Sequence, residues 1–221
     1  MSKTYIVKEM FRTIQGEGFH AGTPALFIRF SACNMWSGHE ADRERDATRN
    51  HAECPRWCDT DFVGGEKLTA DDIGKYIEHT DAVPLIVLTG GEPMLQVDDK
   101  LLDVLFDAAP EARIAFETNG STVPRFGYDK LLPERGRLWI TLSPKQPRDM
   151  VVLDRASEIK LVWPAYNPHD WVDFRAHHHY LQPCADKTVL QPSVERECAA
   201  VVAKQYRWKL SLQTHKYLGV R

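Results

Sequence analysis

Three of the five cysteines are spaced in a way that could serve a metal. Cys33 is followed by twenty residues and then Cys54, and three residues separate Cys54 from Cys58. Thiolates bind both iron–sulfur clusters and zinc, and a cluster held by three cysteines leaves one iron open for chemistry. The spacing alone does not decide between such a cluster and a zinc site completed by His39 or His51.

The composition excludes several classes of protein. Of 221 residues, 43% are hydrophobic and 27% charged, which is typical of a folded domain, and five cysteines do not suit a disulfide scaffold. A formal net charge of −3 disfavours binding to a nucleic-acid backbone. No apolar run approaches the roughly 18 residues of a membrane span, and the charged first ten residues do not fit a signal peptide. We therefore expect a cytoplasmic protein that binds neither nucleic acid nor membranes.

Short β-rich runs recur along the chain, with helical or loop segments between them. The predicted strands are Ala25–Phe30, Leu85–Leu88, Arg113–Phe116, Leu138–Leu142, Glu158–Val162, a run around Tyr180 and Leu181, and Trp208–Leu212. The triplet His177–His179 is predicted to be a polar turn before the sixth of these strands.

Helices are predicted between several of the strands. One begins after an N-cap at Thr69, a second lies within 97–109, and a third spans Ser193–Tyr206 with Ser193 as its cap. Strands that alternate with helices indicate βα units and a mostly parallel sheet. We therefore predict a single α/β domain over residues 1–221, with residues 34–53 inserted between the first two cysteines of the trio.

Several predicted strands end in small, polar, glycine- or proline-containing motifs. These motifs are Gly90–Pro93, Glu117–Gly120 and Ser143–Lys145. Parallel sheets bind ligands at the carboxyl ends of their strands, so we expect the functional site among these motifs.

The cysteine trio and one glycine-rich motif together resemble the radical SAM enzymes. In that superfamily an aromatic residue precedes the last cysteine, as Trp57 precedes Cys58 here, and a glycine-rich motif similar to Gly90–Pro93 receives the methionine amino group. Glycine allows a ligand close to the backbone because it has no Cβ. The resemblance implies a [4Fe–4S] cluster held by Cys33, Cys54 and Cys58, with S-adenosylmethionine (SAM) at the open iron.

A wider set of motifs is similar to the 7-carboxy-7-deazaguanine synthases that carry a long insert after the first cysteine. The resemblance implies an incomplete (β/α) barrel of the radical SAM type. It also implies a carbon–nitrogen lyase that converts 6-carboxy-5,6,7,8-tetrahydropterin to 7-carboxy-7-deazaguanine with release of ammonia, on the route to queuosine and other 7-deazapurines. The chain departs from the family pattern in having three residues, rather than two, between Cys54 and Cys58. The motifs are Thr13–Gly18, Phe27–Phe30, Cys33–Gly38, Cys58–Phe62, Glu117–Gly120, Ser143–Lys145, Gln182–Pro183 and Gln213–Tyr217.

The same resemblance implies roles for individual residues. Arg29 would clamp the substrate carboxylate, Arg221 would offer its own terminal carboxylate, and Thr60 would bind Mg²⁺ through its hydroxyl. A homodimer and a flavodoxin-like electron donor are also expected. The residues implied in substrate binding are Ile14, Gln15, Gly16, Glu17, Arg29, Thr89 and Arg221. Those implied in SAM binding are Trp57, Cys58, Asp59, Gly91, Ser143, Pro144, Lys145, Gln182, Pro183, Cys184 and Ala185.

Two other functions share part of this pattern. A non-catalytic zinc module would use the cysteines structurally and give a colourless, air-stable protein. A radical SAM activase of a glycyl-radical enzyme would share the cysteine loop and Gly90–Pro93, but it has no reason to carry Thr13–Gly18 or Gln213–Tyr217.

Overall fold

One nine-stranded sheet organises the computed structural model, which describes residues 3–52, 56, 58, 60–126, 136–184 and 192–221. The strands are β1 (Thr4–Ile14), β2 (Pro24–Phe30), β3 (Glu66–Thr69), β4 (Leu85–Gly90), β5 (Arg113–Thr118), β6 (Leu138–Leu142), β7 (Arg155–Trp163), β8 (Arg175–Pro183) and β9 (Lys209–Leu210). Their order across the sheet is β3-β1-β2-β4-β5-β6-β7-β8-β9. Neighbours from β2 to β9 are parallel, and β1 is antiparallel to both β2 and β3. The prediction of a mostly parallel sheet is confirmed, and within the described residues the sheet is open, as in an incomplete barrel.

Two strands were not predicted from the sequence. β1 mixes charged and apolar residues, and only Tyr5 and Val7 of this strand are buried, so its pattern is a weak strand signal. β3 has four residues, none of them buried. Because β1 precedes it, the strand that leads to Cys33 is the second strand of the sheet and not the first.

A β-bulge divides β1 into two parts. The pairing with β2 shifts between Val7 and Glu9, which leaves Lys8 as the extra residue. Tyr5 and Val7 pack in the main hydrophobic core, whereas Glu9 and Phe11 line a cavity on the other side of the sheet.

The described helices are α1 (Arg43–Arg49), α2 (Ala70–Glu78), α3 (Asp99–Ala108), α4 (Pro192–Val202) and α5 (Thr214–Leu218). All are short, and side chains cap the N-termini of α2 and α3. α2 begins after Thr69, whose hydroxyl accepts a hydrogen bond from the Asp72 N–H while the Asp72 carboxylate accepts one from the Thr69 N–H at 2.9 Å. α4 begins at Pro192, so Ser193 lies inside the helix and the prediction that it is the cap is wrong; proline suits the first turn because no N–H is needed there. None of the described helices combines the length and the apolar character that crossing a bilayer requires.

The two faces of the sheet have different roles. Successive side chains of a strand point to opposite faces, and in β2 this places Leu26 and Ile28 in the core with α2 and α3. The alternate residues Phe27 and Arg29 lie on the other face, where they line the cavity. The alternation along β2 therefore presents a charged side chain to the cavity from a strand that is otherwise apolar.

The histidine triplet lies within β8, so the prediction of a polar turn is wrong. His179 is buried with 3% of its surface exposed, and its ring meets that of Trp208 edge-on at 5.3 Å. His178 points to the opposite face and stacks on Trp139 at 5.7 Å. Both histidines fit in a strand because each packs on a tryptophan that is distant in the sequence. The residues next to the triplet do not reveal these partners.

His179 is expected to make folding stability depend on pH. Burial, helped by the charge of Arg207, lowers the pKa of its imidazole to about 4. The unfolded chain takes up this proton near pH 6.5, whereas the folded chain resists protonation to about pH 4, so stability is lost as the pH falls through that window. We expect the free energy of unfolding, measured by chemical denaturation, to fall more between pH 7.5 and 5 in the wild type than in His179→Phe. The exposed His177→Gln variant should behave like the wild type, and identical pH profiles of wild type and His179→Phe would refute the assignment.

Candidate active site

A cavity of about 520 Å³ lies at the carboxyl ends of the parallel strands, where the sequence predicts the functional site. Six parallel strands that are neighbours in the sheet, β2, β4, β5, β6, β7 and β8, contribute lining residues at or near their carboxyl ends. These residues are Arg29, Thr89, Glu117, Ser143, Lys160 and Gln182.

Most of the predicted site residues meet in this cavity. Pro144, Pro183 and Cys184 are described but do not line it. The predicted residues Cys54, Trp57, Asp59 and Ala185 lie outside the described part of the chain. The residues that line the cavity are Ile14, Gln15, Gly16, Glu17, Arg29, Cys33, Cys58, Thr60, Thr89, Gly91, Ser143, Lys145, Gln182 and Arg221.

Two of the three predicted cluster ligands, Cys33 and Cys58, line the cavity together. The Cys33 sulfur accepts a hydrogen bond from the Met35 N–H at 3.4 Å. Burial, with smaller contributions from the charges of Glu92 and Cys58, raises the pKa of the Cys33 thiol to about 11. A buried thiol of this kind becomes a thiolate when a metal replaces its proton. The paired sulfur donors therefore fit an iron–sulfur cluster.

The glycine-rich motif packs directly against the cysteine loop. A Cβ on Gly91 would collide with the carbonyl oxygen of Ala32 and would lie 2.8 Å from the Cys33 nitrogen. The Gly91 N–H donates to the Phe30 carbonyl at 3.1 Å, and the Glu92 N–H donates to the Ala32 carbonyl at 2.9 Å. Glycine is thus required at position 91 by the approach of two backbones, in addition to any role in binding a ligand.

Glu92 connects this motif to the end of the next strand. Its fully buried carboxylate accepts hydrogen bonds from the Met94 N–H at 3.0 Å, the Thr118 hydroxyl at 2.7 Å and the Asn119 N–H at 2.7 Å. Burial raises the pKa of Glu92 to about 7, although the three donors oppose this shift. The Glu92 side chain therefore fixes the relative position of two motifs that both border the cavity.

A buried lysine pairs with two carboxylates in the wall of the cavity. Lys160 is buried, with 3% of its surface exposed. Its ammonium group donates hydrogen bonds to Glu17 and, at 3.2 Å, to Glu117. The amide of Gln213 donates to Glu17 at 2.7 Å, and that of Gln15 to Glu117 at 3.3 Å. The network thereby connects the loop after β1, the end of β5 and the carboxyl-terminal half of β7.

The two carboxylates of this network differ in their protonation. Burial opposes the ionised form of Glu17, but the charge of Lys160 outweighs it and lowers the pKa of Glu17 to about 2. Burial raises the pKa of Glu117 to about 7; Lys160 opposes the shift, and Glu17 and Glu158 add to it. The cavity therefore holds an ionised carboxylate, Glu17, beside a carboxyl group, Glu117, whose pKa is raised.

Comparison with curated proteins shows close relatives over almost the whole sequence. The protein named 7-carboxy-7-deazaguanine synthase from Bradyrhizobium diazoefficiens is 39% identical over 233 residues, which cover 99% of this chain and 100% of the relative. Proteins of the same name from Bordetella pertussis and Bacteroides thetaiotaomicron are 39% and 35% identical, and the matches cover 98% and 97% of this chain and 99% and 98% of the relatives. The chain belongs to the 7-carboxy-7-deazaguanine synthase family. No family model matches the sequence.

A solved structure supports the fold assignment. The crystal structure of QueE from Escherichia coli superposes with a TM-score of 0.65 at 24% identity, covering 95% of this chain and 93% of that chain. The α/β fold of the radical SAM type expected from the resemblance is confirmed. The family membership also confirms the resemblance itself and speaks against a zinc module or a glycyl-radical activase.

Sequence reasoning missed two features of this synthase-family site. It quoted the motifs that contain Glu92 and Glu117 but assigned neither side chain a role. It treated Lys160 only as part of a strand, although a lysine flanked by Ile159 and Leu161 in a predicted strand is a signal that a buried partner is needed.

Proposed function

We propose that this protein is a radical SAM lyase that converts 6-carboxy-5,6,7,8-tetrahydropterin to 7-carboxy-7-deazaguanine with release of ammonia, in the synthesis of queuosine and other 7-deazapurines. The observation that carries the proposal is the match, at 35–39% identity over nearly the whole chain, to relatives named for that product. The convergence of the family motifs on one cavity supports it.

The proposal assigns the cysteine trio to a [4Fe–4S] cluster. Cys33, Cys54 and Cys58 would hold it, and the chemistry supplied when it is bound with SAM is one-electron cleavage of the sulfonium to give a radical. Gly91 and Trp57 would contact SAM near the cluster. The other residues proposed to bind SAM are Cys58, Asp59, Ser143, Pro144, Lys145, Gln182, Pro183, Cys184 and Ala185.

The remaining residues of the cavity would bind and orient the pterin. Arg29 would take the substrate carboxylate, Thr60 would contribute an oxygen ligand to Mg²⁺, and Ile14–Glu17 with Thr89 would contact the ring. Phe62 is buried, and its ring meets that of Trp36 edge-on at 5.6 Å, which would help to exclude water from a reactive intermediate.

The decisive experiment is a direct assay of the reaction. The anaerobically reconstituted and reduced protein is incubated with the carboxytetrahydropterin, SAM and Mg²⁺, and mass spectrometry should detect 7-carboxy-7-deazaguanine together with released ammonia. A colourless protein with stoichiometric zinc and no product would overturn the proposal.

The proposal further includes a cytoplasmic homodimer that receives electrons from a flavodoxin-like donor, and light scattering tests the dimer.

Arg29→Ala is expected to weaken pterin turnover without affecting the cluster. Loss of a bidentate, charge-assisted pair should lower kcat/KM for the carboxytetrahydropterin by about 100-fold, corresponding to roughly 2–3 kcal/mol. The iron content and the visible spectrum should remain those of the wild type. Arg12→Ala is the matched control, because Arg12 is an exposed arginine of the neighbouring strand β1 whose partner, Asp81, is also exposed. Unchanged kinetics in Arg29→Ala would remove this residue from the substrate site.

A further inference from the structure

One side of β1 presents a row of three residues to the cavity. After the bulge at Lys8, the alternation of the strand brings Glu9, Phe11 and Thr13 to the same face, and all three line the cavity. Glu9 lies directly opposite Arg29 in the pairing of β1 with β2. The proposed substrate clamp therefore has a carboxylate as its immediate neighbour.

The two oxygens of Glu9 bind two different arginines. Oε1 accepts a hydrogen bond from Nε of Arg29 at 2.9 Å, and Oε2 pairs with the guanidinium of Arg221. About a fifth of the Glu9 and Arg29 side chains is exposed, so this pair is partly removed from solvent. Within the described residues neither terminal nitrogen of Arg29 makes a hydrogen bond, which leaves the two-pronged end of the guanidinium for a carboxylate.

The side chain of Arg221 is held at Glu9 by further contacts. The Arg221 guanidinium lies 4.5 Å from the centre of the Phe11 ring. The Thr13 hydroxyl donates a hydrogen bond to the backbone carbonyl oxygen of Arg221. The segment that carries it is anchored at its other end, because the Thr214 hydroxyl donates to the Gly16 carbonyl at 2.9 Å. Arg221, with 63% of its side chain exposed, is therefore held at the rim of the cavity by residues of β1 and of the loop that follows it.

The charges of Glu9 and Arg29 explain why a second arginine, Arg221, is needed for an anionic substrate to bind. Glu9 and Arg29 alone sum to zero, so an anionic substrate that approached Arg29 would also meet the repulsion of Glu9. With Arg221 paired to the other oxygen of Glu9, the side chains of Glu9, Arg29 and Arg221 together carry one net positive charge, which faces an approaching substrate carboxylate. Like charges brought close in a partly buried site repel strongly, so this compensation bears directly on affinity.

We propose that Glu9 is a positioning residue that orients Arg29 for the substrate carboxylate, and that the Arg221 side chain sets substrate affinity by neutralising Glu9. The inference rests on the proposed function, since it concerns the same pterin site. It assigns to the Arg221 guanidinium a role distinct from that expected for its carboxylate. The guanidinium acts through Glu9 and need not touch the substrate.

Equilibrium binding of two pterins tests this coupling. The reconstituted protein with SAM is titrated with 6-carboxypterin and with pterin lacking the carboxyl group, and binding is followed by quenching of the pterin fluorescence. We expect Glu9→Ala to raise the Kd for 6-carboxypterin about tenfold because Arg29 loses the partner that orients it. Arg221→Ala should raise this Kd by about the same factor because the charge of Glu9 is then no longer neutralised. The double variant should bind like Glu9→Ala to within about twofold, because Arg221 has nothing to neutralise once Glu9 is absent.

The second ligand and one control variant separate this coupling from a structural effect. The Kd for the uncarboxylated pterin should be the same in the wild type and Arg221→Ala. Asp81→Asn, which breaks the exposed pair with Arg12 on the same strand, should bind both ligands like the wild type. Equal weakening for both pterins, additive effects in the double variant, or no effect of Arg221→Ala would each overturn the inference. A wild-type protein that binds neither pterin would instead overturn the proposed function, and the inference with it.

Discussion

Lys160→Met is expected to lower the free energy of unfolding by about 3–5 kcal/mol, because it leaves two largely buried carboxylates, with 16% and 18% of their side chains exposed, without their cation. Lys160 is buried between Glu17 and Glu117, and its charge is what holds the pKa of Glu17 low. Without it, Glu17 has to take up a proton or draw in water. Chemical denaturation at pH 7.5 measures the loss, and turnover should fall below detection because the loop that carries Gln15 loses its anchor.

Two further variants make this expectation specific. Lys209→Met removes an exposed lysine from β9 and should change the free energy of unfolding by less than about 0.5 kcal/mol. Adding Glu117→Gln to Lys160→Met should restore part of the lost stability, because one of the two uncompensated carboxyl groups becomes a neutral amide. If Lys160→Met proves as stable as Lys209→Met, the buried network does not support the fold.

Cys58→Ala is expected to abolish the iron–sulfur cluster and, with it, reductive cleavage of SAM. Two remaining cysteines cannot hold the cluster in the way three can, so the loss of SAM cleavage should exceed about 1,000-fold. Iron and sulfide analysis and the brown absorbance of the anaerobically reconstituted protein measure the first effect. Release of 5′-deoxyadenosine measures the second.

The matched control is another cysteine of the same chain. Cys198 is fully buried in α4 and does not line the cavity, so Cys198→Ala should retain iron, colour and SAM cleavage. It should cost only about 1 kcal/mol of stability, as expected for a small buried side chain. A colourless Cys58→Ala that still cleaves SAM would contradict the assignment of this residue to the cluster.

The sequence predicted best the elements that are encoded locally. β6 has the predicted bounds Leu138–Leu142, and α2 begins after Thr69, where the capping residues and the apolar spacing agree. β1 and the triplet His177–His179 were missed for the opposite reason. Their burial depends on partners from other strands, such as Trp208 for His179, and no local pattern contains that information.

The same limit applies to the site. Motif comparison brought the cavity residues together because each motif ends a strand, and the ends of parallel strands meet at one edge. It could not identify the pairs Lys160–Glu117 or Glu9–Arg29, since these depend on the register between strands. Pairings of this kind become visible only once the sheet is assembled.

The extra residue in β1 has a consequence for how this strand can evolve. Upstream of Lys8 the odd-numbered side chains Tyr5 and Val7 contribute to the apolar interior, and downstream of it the odd-numbered Glu9 and Phe11 contribute to the cavity. If Lys8 were instead paired within the ladder, one uninterrupted alternation would drive the Glu9 carboxylate into the apolar interior and exchange the two environments for half of the strand. Deletion of Lys8 would by contrast leave Val7 opposite Phe30 and Glu9 opposite Arg29, so the loss of this one residue would preserve both the apolar interior and the wall of the cavity.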